Sequence, residues 1–190
     1  MTVFRDISFL AVGPASERSR LGNNISTIMP AKIREFGTTV VGENYILRPG
    51  GYGVVRNSAD AVAIVTTSRG AFLLGGAQEG VESPQQALIR EAREECGCTL
   101  SIGEPIGVAD ELLFAKDEKA YFRKRCAFFI AEIVACDAAS AIEADHALEW
   151  LPIEEATRRL IHESHRWDIS IVMNRSNKKD AEPCAAANPA

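Results

Sequence analysis

Three glutamates lie close together near the end of a predicted helix: Glu91, Glu94 and Glu95. The carbonyl end of a helix is partially negative, so each anion placed there is unfavourable by about 0.3–1 kcal/mol. Glu91 and Glu95 also repel each other by about 0.2–0.5 kcal/mol, because they are four residues apart. A solvated acidic face, the alternative interpretation, typically alternates charges or places its acids in the first turn. A divalent cation removes both penalties, and Mg²⁺ and Mn²⁺ prefer carboxylate oxygens. The cluster therefore predicts a metal site.

The helix that positions these carboxylates is predicted between Ser83 and Gly97. Ser83 and Gln86 have the spacing of a capping box, Pro84 suits the first helical position, and Gly97 suits the left-handed residue that ends a helix. Helical periodicity predicts an apolar stripe facing a β-sheet, formed by Gln85, Leu88, Ile89, Ala92 and Cys96. The glutamates lie on the flank of this stripe. Ala87 shares their face one turn earlier and leaves room for a ligand.

The segment GAQEGVESPQQALIREAREECGC, residues 76–98, resembles the Nudix box, G-x5-E-x7-R-E-U-x-E-E-x-G-U, in which U is aliphatic. The seven fixed positions of the box are occupied by Gly76, Glu82, Arg90, Glu91, Glu94, Glu95 and Gly97. Four positions that affect packing and loop shape depart from the family's pattern: Leu74, Val81, Ala92 and Cys98. The similarity to the family's domain extends over residues 45 to 175.

The resemblance implies metal-dependent hydrolysis of a pyrophosphate bond in a nucleoside diphosphate linked to another group X, with water attacking phosphorus. It makes Mg²⁺ or Mn²⁺ the expected cofactor, with candidate ligands Gly76 (through its carbonyl), Glu82, Glu91, Glu94 and Glu95. Arg90 is expected to fix Glu82 or a helix carboxylate, and the general base is Glu91 or Glu95. The alternative is a Nudix-fold module that senses a nucleotide without hydrolysing it. A third possible function implied by the resemblance is that of an isomerase of this fold, which would require a reactive cysteine and metal-binding histidines.

Further candidate residues lie outside the box. An additional carboxylate is expected from Glu143 or Asp145, with Glu111, Asp117 and Glu118 as competitors in a predicted loop over 109–120. Arg48 and Tyr121 are the candidate substrate-binding residues. Lys124 and Arg125 are further candidates for phosphate binding, and Tyr52, Phe114 and Trp167 for base stacking. His162 and His165 lack the spacing of a zinc helix and are predicted to be surface histidines.

The pattern of the chain predicts an α+β fold in which helices pack on a mixed β-sheet. The resemblance implies that helices flank this sheet as an α/β/α sandwich. Residues 1–44 are predicted to be an N-terminal extension with short strands at FLAV and TTVV, residues 45–174 the Nudix domain, and residues 175–190 a disordered tail. YGVVRN and AVAIVTT are predicted to form a β-hairpin. Strands are expected near 99–108 and 121–135 and at LEWLP, and helical periodicity follows from Ile153.

Composition limits the partners. A net charge of -5 and a pI of about 5.3 argue against binding to nucleic acid through the overall field, so the expected partner is a small nucleotide substrate. No apolar run approaches the length of about 20 residues that a membrane span needs. Five cysteines without a CxxC motif predict reduced thiols and a cytoplasmic protein. The sequence does not decide between a monomer and a homodimer, and it does not name X.

Overall fold

The computed structural model describes residues 33–180. These residues form two β-sheets, three α-helices and one short 3₁₀ turn at Ala138–Ser140. In chain order the elements are β1 (Arg34–Phe36), β2 (Tyr45–Val55), β3 (Val62–Thr67), β4 (Gly70–Phe72), β5 (Leu74–Ala77), α1 (Pro84–Cys96), β6 (Cys98–Ala115), β7 (Ala120–Cys136), β8 (Ala147–Leu151), α2 (Ile153–Arg159) and α3 (Glu163–Asp180).

The larger sheet has the strand order β1-β6-β7-β2-β5 and mixes both pairing directions. β1 runs parallel to β6 and β2 parallel to β7, whereas the β6–β7 and β2–β5 pairs are antiparallel. The smaller sheet, β4-β3-β8, is antiparallel throughout.

The two faces of the sheets bury alternate residues in separate cores. Val62 and Ile64 of β3 join a cluster with Ala156 of α2 and Ile169 of α3. Their neighbours Ala63 and Val65 join a second cluster, with Leu88 and Ala92 of α1. Since successive strand residues point to opposite faces, α1 covers one face and α2 and α3 cover the other. This confirms the predicted α+β fold with helices on both sides of mixed sheets.

The predicted hairpin between YGVVRN and AVAIVTT is wrong. β2 pairs with β5 and β7, and β3 pairs with β4 and β8 in the other sheet. Only an isolated bridge joins Arg56 to Val62. Both strands bury residues on both faces.

The predicted loop over 109–120 is also wrong, because β6 and β7 form one long hairpin that turns only at residues 116–119. Within this hairpin Asp110 lies opposite Arg125 and accepts hydrogen bonds from it at 2.9 Å. In the predicted extension, TTVV is not a strand. Instead Arg34–Phe36 forms β1. FLAV lies outside the described residues.

The helical stretch after LEWLP is divided into two helices. β8 ends at Leu151 as predicted, α2 follows it, and α3 begins at Glu163 after a break at residues 160–162. α3 continues to Asp180, so the predicted disordered tail does not begin at residue 175. The rest of that tail lies outside the described residues. None of the described helices combines the length and apolarity needed to cross a bilayer.

Two of the cysteines are bonded to each other. Cys98 and Cys136 stand opposite each other at the end of the β6–β7 hairpin, with their α-carbons 4.1 Å apart, and form a disulfide. The prediction of reduced thiols is wrong for this pair, which is 38 residues apart in sequence and is brought together only by strand register. Cys96 and Cys126 are free and buried, and Cys184 lies outside the described residues. The cytoplasmic location stays a prediction.

Asp168 on the buried face of α3 gives an expected pH dependence. It is fully buried, neither carboxylate oxygen has a hydrogen-bond partner in the described part of the chain, and burial raises its pKa to about 8. The native state therefore retains a proton that the unfolded chain releases above its ordinary pKa of 3.8. Between these two values the free energy of unfolding falls as pH rises, by up to about 1.4 kcal/mol per pH unit.

We expect the melting temperature of the Asp168→Asn variant to fall less between pH 5 and pH 8 than that of the wild type. Asp117→Asn, a change at an exposed aspartate, is the matched control and should follow the wild type. Parallel melting curves for the wild type and Asp168→Asn would contradict the assignment of a protonated Asp168.

Candidate active site

The ends of α1 are as the sequence predicts. The Ser83 hydroxyl accepts a hydrogen bond from the backbone N–H of Gln86, and the Gln86 side chain accepts one from the backbone N–H of Ser83, which completes the capping box. Gly97 ends the helix in the left-handed conformation, with φ of 65°. The first turn carries no acid, so the glutamates do lie towards the unfavourable end.

The buried face of α1 is rotated relative to the predicted stripe. Leu88, Ala92 and Cys96 are buried as expected, but Gln85 and Ile89 are exposed. Their places on the buried side are taken by Ala87 and by Glu95, which is only 7% exposed. One of the three glutamates therefore faces into the molecule rather than along its flank.

Glu91, Glu95 and Glu143 are among the carboxylates that line one cleft of about 840 Å³. Glu91 and Glu95 come from α1, and Glu143 comes from the segment before β8. An oxygen of Glu95 accepts a hydrogen bond from the backbone N–H of Gly75 at 3.3 Å. Gly76 lines the cleft beside Glu91 so closely that a Cβ at position 76 would lie 2.4 Å from the Glu91 carboxyl. Only glycine fits there without moving that side chain.

Burial and the charges of neighbouring acids disfavour the ionised forms of Glu91 and Glu95. Burial, together with the charges of Glu91, Glu143 and Glu94, raises the pKa of Glu95 to about 8, although the hydrogen bond from Gly75 opposes the shift. The pKa of Glu91 is also raised, first by burial and then by Glu94 and Glu143, although Arg90 opposes the shift. A cation in the cleft would relieve this repulsion.

Arg90 connects the loop before α1 to the helix. Its Nε donates to Glu82 at 2.9 Å, one terminal nitrogen donates to Glu94 at 2.9 Å, and the other donates to the carbonyl of Ala77 at 2.8 Å. The first terminal nitrogen also lies 3.1 Å from a carboxylate oxygen of Glu91. Arg90 thus contacts both Glu82 and the helix carboxylates, whereas the sequence predicted these as alternative partners of Arg90. Glu82 and Glu94 do not line the cleft.

The segment that carries Glu143 is attached to the end of α1. The backbone N–H groups of Ile142 and Glu143 donate to the carbonyl of Glu94, at 2.8 and 3.2 Å. His146 follows and lies with Nε2 2.8 Å from Glu143 and 3.8 Å from Glu95. Its Nδ1 is 3.1 Å from Asp145, which is mostly exposed and does not line the cleft. Sequence reasoning missed His146, and its position beside two candidate acids was the one available signal.

The predicted substrate-binding residues lie in different places. Arg48 lines the cleft, with its guanidinium bound to Glu118 at 2.6 and 2.8 Å and 3.8 Å from the centre of the Phe122 ring. Tyr121 does not line the cleft and packs instead against Tyr45 and Phe114.

The other candidates divide between the cleft and the core. Glu111, Asp117, Glu118, Tyr52, Phe114 and Lys124 line the cleft. Arg125 is bound to Asp110, and the Trp167 ring packs against Phe36 and Phe128. The two histidines predicted at the surface are not there, since His165 is completely buried and His162 lies in the wall of the cleft.

Comparison with known proteins identifies the family. The model of the NUDIX domain matches residues 47–172, about two thirds of the chain and within the predicted domain. The chain belongs to the Nudix family. A comparison with the sequences of curated proteins found no match.

Solved Nudix structures resemble this fold at low sequence identity. A NUDIX hydrolase from Nitrosomonas europaea matches with a TM-score of 0.56 at 17% identity, over 70% of this chain and 90% of that one. The MutT protein from Methanosarcina mazei Go1 matches with a TM-score of 0.52 at 22% identity, over 73% and 99%. The C. elegans Ap4A hydrolase matches with a TM-score of 0.50 at 15% identity, over 70% and 99%. At these identities the similarity establishes the fold alone.

Nudix chemistry generally depends on a divalent metal, and the donor set of this cleft fits a hard cation. Glu91, Glu95 and Glu143 supply carboxylate oxygens, and Gly76 brings the backbone to the same cleft. As they stand, the described residues contain no group of three or more His, Cys, Asp or Glu side chains arranged around an ion position. The Arg90 guanidinium forms ion pairs with the carboxylates of Glu91 and Glu94, which contributes to this arrangement.

Proposed function

We propose that this protein hydrolyses a pyrophosphate bond in a nucleoside diphosphate linked to X, with Mg²⁺ or Mn²⁺ as cofactor. The observation that carries the proposal is the convergence of Glu91, Glu95 and Glu143 on one cleft in a chain of the Nudix family. Burial and the charge of Glu143 both raise the pKa of Glu91 and the pKa of Glu95, so these acids are poorly placed unless a cation joins them.

The metal would be held by Glu91, Glu95 and Glu143, with the Gly76 carbonyl as a further ligand and Glu94 recruited from Arg90. When bound, it supplies positive charge that neutralises the phosphate oxygens as charge develops in the transition state. Glu91 and Glu95 are the two candidates for the base that takes a proton from water.

Arg90 positions the acidic groups rather than the substrate. It contacts Glu82, Glu91, Glu94 and Ala77, so it holds the loop before α1 against the helix. Glu82 accepts a further hydrogen bond from the backbone N–H of Glu79 at 2.9 Å, and its contacts are those of a loop anchor. These contacts favour an anchoring role for Glu82 over a role as metal ligand.

The free thiols disfavour the isomerase alternative. Burial raises the pKa of Cys96 to about 12 and that of Cys126 to about 11. Neither cysteine of this described pair is therefore a nucleophile near neutral pH.

A substrate panel tests the proposal. We expect turnover with Mg²⁺ or Mn²⁺, and none with EDTA, on at least one of three classes: nucleoside triphosphates, nucleoside diphosphate sugars and dinucleoside polyphosphates. Mass spectrometry of products formed in ¹⁸O-labelled water identifies the bond and the phosphorus that is attacked. Nucleotide binding without turnover across the panel would overturn hydrolysis and support the sensing module.

Gly76→Ala tests the close approach of the backbone to Glu91. The added methyl would occupy the place of the Glu91 carboxyl, so we expect turnover to fall about 10²-fold, as for a catalytic group displaced by about 1 Å. The melting temperature should change little, because a flexible side chain facing the cleft can move. In the control Gly103→Ala, the nearest atom to the new Cβ is 3.3 Å away, and turnover should be retained. Full activity of Gly76→Ala would show that turnover does not require the Glu91 carboxyl in its present position.

A further inference from the structure

A second polar cluster in the cleft wall, formed by Lys124, His162 and Glu111, has no part in the proposed metal site. The Lys124 ammonium lies 3.1 Å from Nε2 of His162, and Nδ1 of His162 lies 2.9 Å from a carboxylate oxygen of Glu111. The other oxygen of Glu111 accepts hydrogen bonds from the backbone N–H and the hydroxyl of Ser164, at the start of α3.

The contacts define the protonation of this cluster. An ammonium can only donate, so Nε2 of His162 must accept, and Nδ1 must carry the hydrogen that is donated to Glu111. Burial, together with the charge of Lys124, lowers the pKa of His162 and keeps it neutral. Although burial opposes ionisation of Glu111, its donors His162 and Ser164 hold its pKa at about 2. Glu111 is thus a satisfied anion that fixes His162, and His162 fixes Lys124.

Lys124 has unused capacity to bind an anion. Of its three N–H donors, one is directed to His162, and among the described residues no carboxylate lies within ion-pair distance. Its other recorded contact is with the Tyr52 ring, whose centre is 5.2 Å away. The neighbouring cations differ in this respect, because Arg48 is paired with Glu118 and Arg125 with Asp110.

The cluster and the carboxylates belong to one cleft. Tyr52, in contact with Lys124, pairs with Gly75 across β2 and β5, and the N–H of Gly75 donates to Glu95. A ligand with one group near Glu95 therefore has a second anchoring point at Lys124. An ammonium is a compact charge suited to a phosphate oxygen.

We propose that Lys124, positioned by His162 and Glu111, binds a phosphate of the substrate beyond the linkage that is cleaved. The site then selects nucleotides with a charged terminal phosphate over those in which X is neutral at that position. This inference rests on the proposed function for its account of selectivity, but the anion site itself is tested without catalysis.

The binding test measures the affinity of the full-length chain for inorganic tripolyphosphate by calorimetry, in the presence of EDTA. We expect Lys124→Met to weaken binding by about tenfold to a hundredfold, as for loss of a hydrogen bond to a charged group. Lys124→Gln, which keeps a polar side chain, is a second neutral variant and should show the same loss. The matched control is Lys116→Met, the same change at an exposed lysine in the same cleft, with an expected loss below threefold. Equal losses at positions 116 and 124, or no loss at 124, would overturn the proposal.

The positioning role of His162 has its own readout. Glutamine can both accept from Lys124 and donate to Glu111, so His162→Gln should keep tripolyphosphate affinity within about threefold, whereas His162→Phe should lose about tenfold. Melting temperatures confirm that each variant is folded. Wild-type affinity in His162→Phe would show that Lys124 needs no positioning.

Kinetics then test the selectivity. Lys124→Met should raise KM for a nucleoside triphosphate about tenfold or more with little change in kcat, and leave KM for a nucleoside diphosphate sugar within threefold. If the wild type hydrolyses substrates but Lys124→Met binds tripolyphosphate normally, the anion site fails and the proposed function stands. If no substrate is hydrolysed yet the binding loss appears, the proposed function fails and the anion site stands.

Discussion

Changing Glu94 and Glu95 together to glutamine is expected to reduce metal-dependent hydrolysis by about 10³-fold or more without unfolding the protein. A bound metal contributes several kcal/mol to the transition state, and each 1.36 kcal/mol is a factor of ten in rate. Glutamine has the size of glutamate but lacks the charge that holds a cation. Since burial beside other acids already disfavours the charged form of Glu95, a neutral glutamine there should leave the melting temperature of the metal-free protein unchanged or raised.

The two single variants separate the roles of these residues. Glu95 lines the cleft, so Glu95→Gln should account for most of the lost turnover. Glu94 is bound to Arg90 outside the cleft and would have to leave it to reach the metal, so Glu94→Gln should have the smaller effect. The matched control is the double change of the adjacent acids Glu154 and Glu155, in the first turn of α2.

Thermal melting with and without Mn²⁺ provides a readout that does not depend on the substrate. The ion should raise the melting temperature of the wild type and of the control, but not that of the Glu94/Glu95 variant. Activity of the double variant within tenfold of the wild type would contradict the assignment of the metal site.

Gly51→Ala is expected to destabilise the protein by about 3 kcal/mol or more, a large part of the 5–15 kcal/mol that stabilises a typical domain. A Cβ at position 51 would lie 1.8 Å from the carbonyl oxygen of Pro84, where α1 begins against β2. Because the obstacle is backbone, it cannot be relieved by a rotamer change. The start of α1 would have to move away from the sheet, and the carboxylates would move with it.

Gly53→Ala, two residues along the same strand, is the control for this change. Its Cβ would meet methyl groups of Leu88 and Ala131 at 3.2–3.3 Å, and the Leu88 side chain can shift. We expect a loss of about 1 kcal/mol there, measured by urea unfolding. Similar losses of unfolding free energy at positions 51 and 53 would contradict the close contact described between the start of α1 and Gly51.

The parts of the site that follow local rules could be predicted from the sequence. The capping box at Ser83, the terminating Gly97 and the clustering of Glu91 with Glu95 depend on residues within a few turns of one helix, and the structure has all three. Sequence periodicity did not predict the rotation of the helix about its own axis. Glu95 is buried because the sheet lies beside it, and residue spacing alone assigned that place to Ile89 and Gln85.

The features that were missed depend on strand pairing between distant segments. The β6–β7 register brings Cys98 to Cys136 and gives Asp110 its partner Arg125, so neither the disulfide nor the continuous hairpin was visible in the local pattern. The Lys124–His162–Glu111 contacts likewise join β7, β6 and the segment before α3. Histidines that look solvated in sequence are enclosed once these three elements meet.

The attachment of Ile142 and Glu143 to the carbonyl of Glu94 consists of main-chain atoms. Replacing side chains between the 3₁₀ turn and β8 leaves both hydrogen bonds in place. We therefore expect the composition of that stretch to tolerate wide variation, with glycine or alanine accepted at most positions apart from Glu143 itself. A proline at 142 or 143 is the exception, because it would delete a donor and release the third acid from the other two.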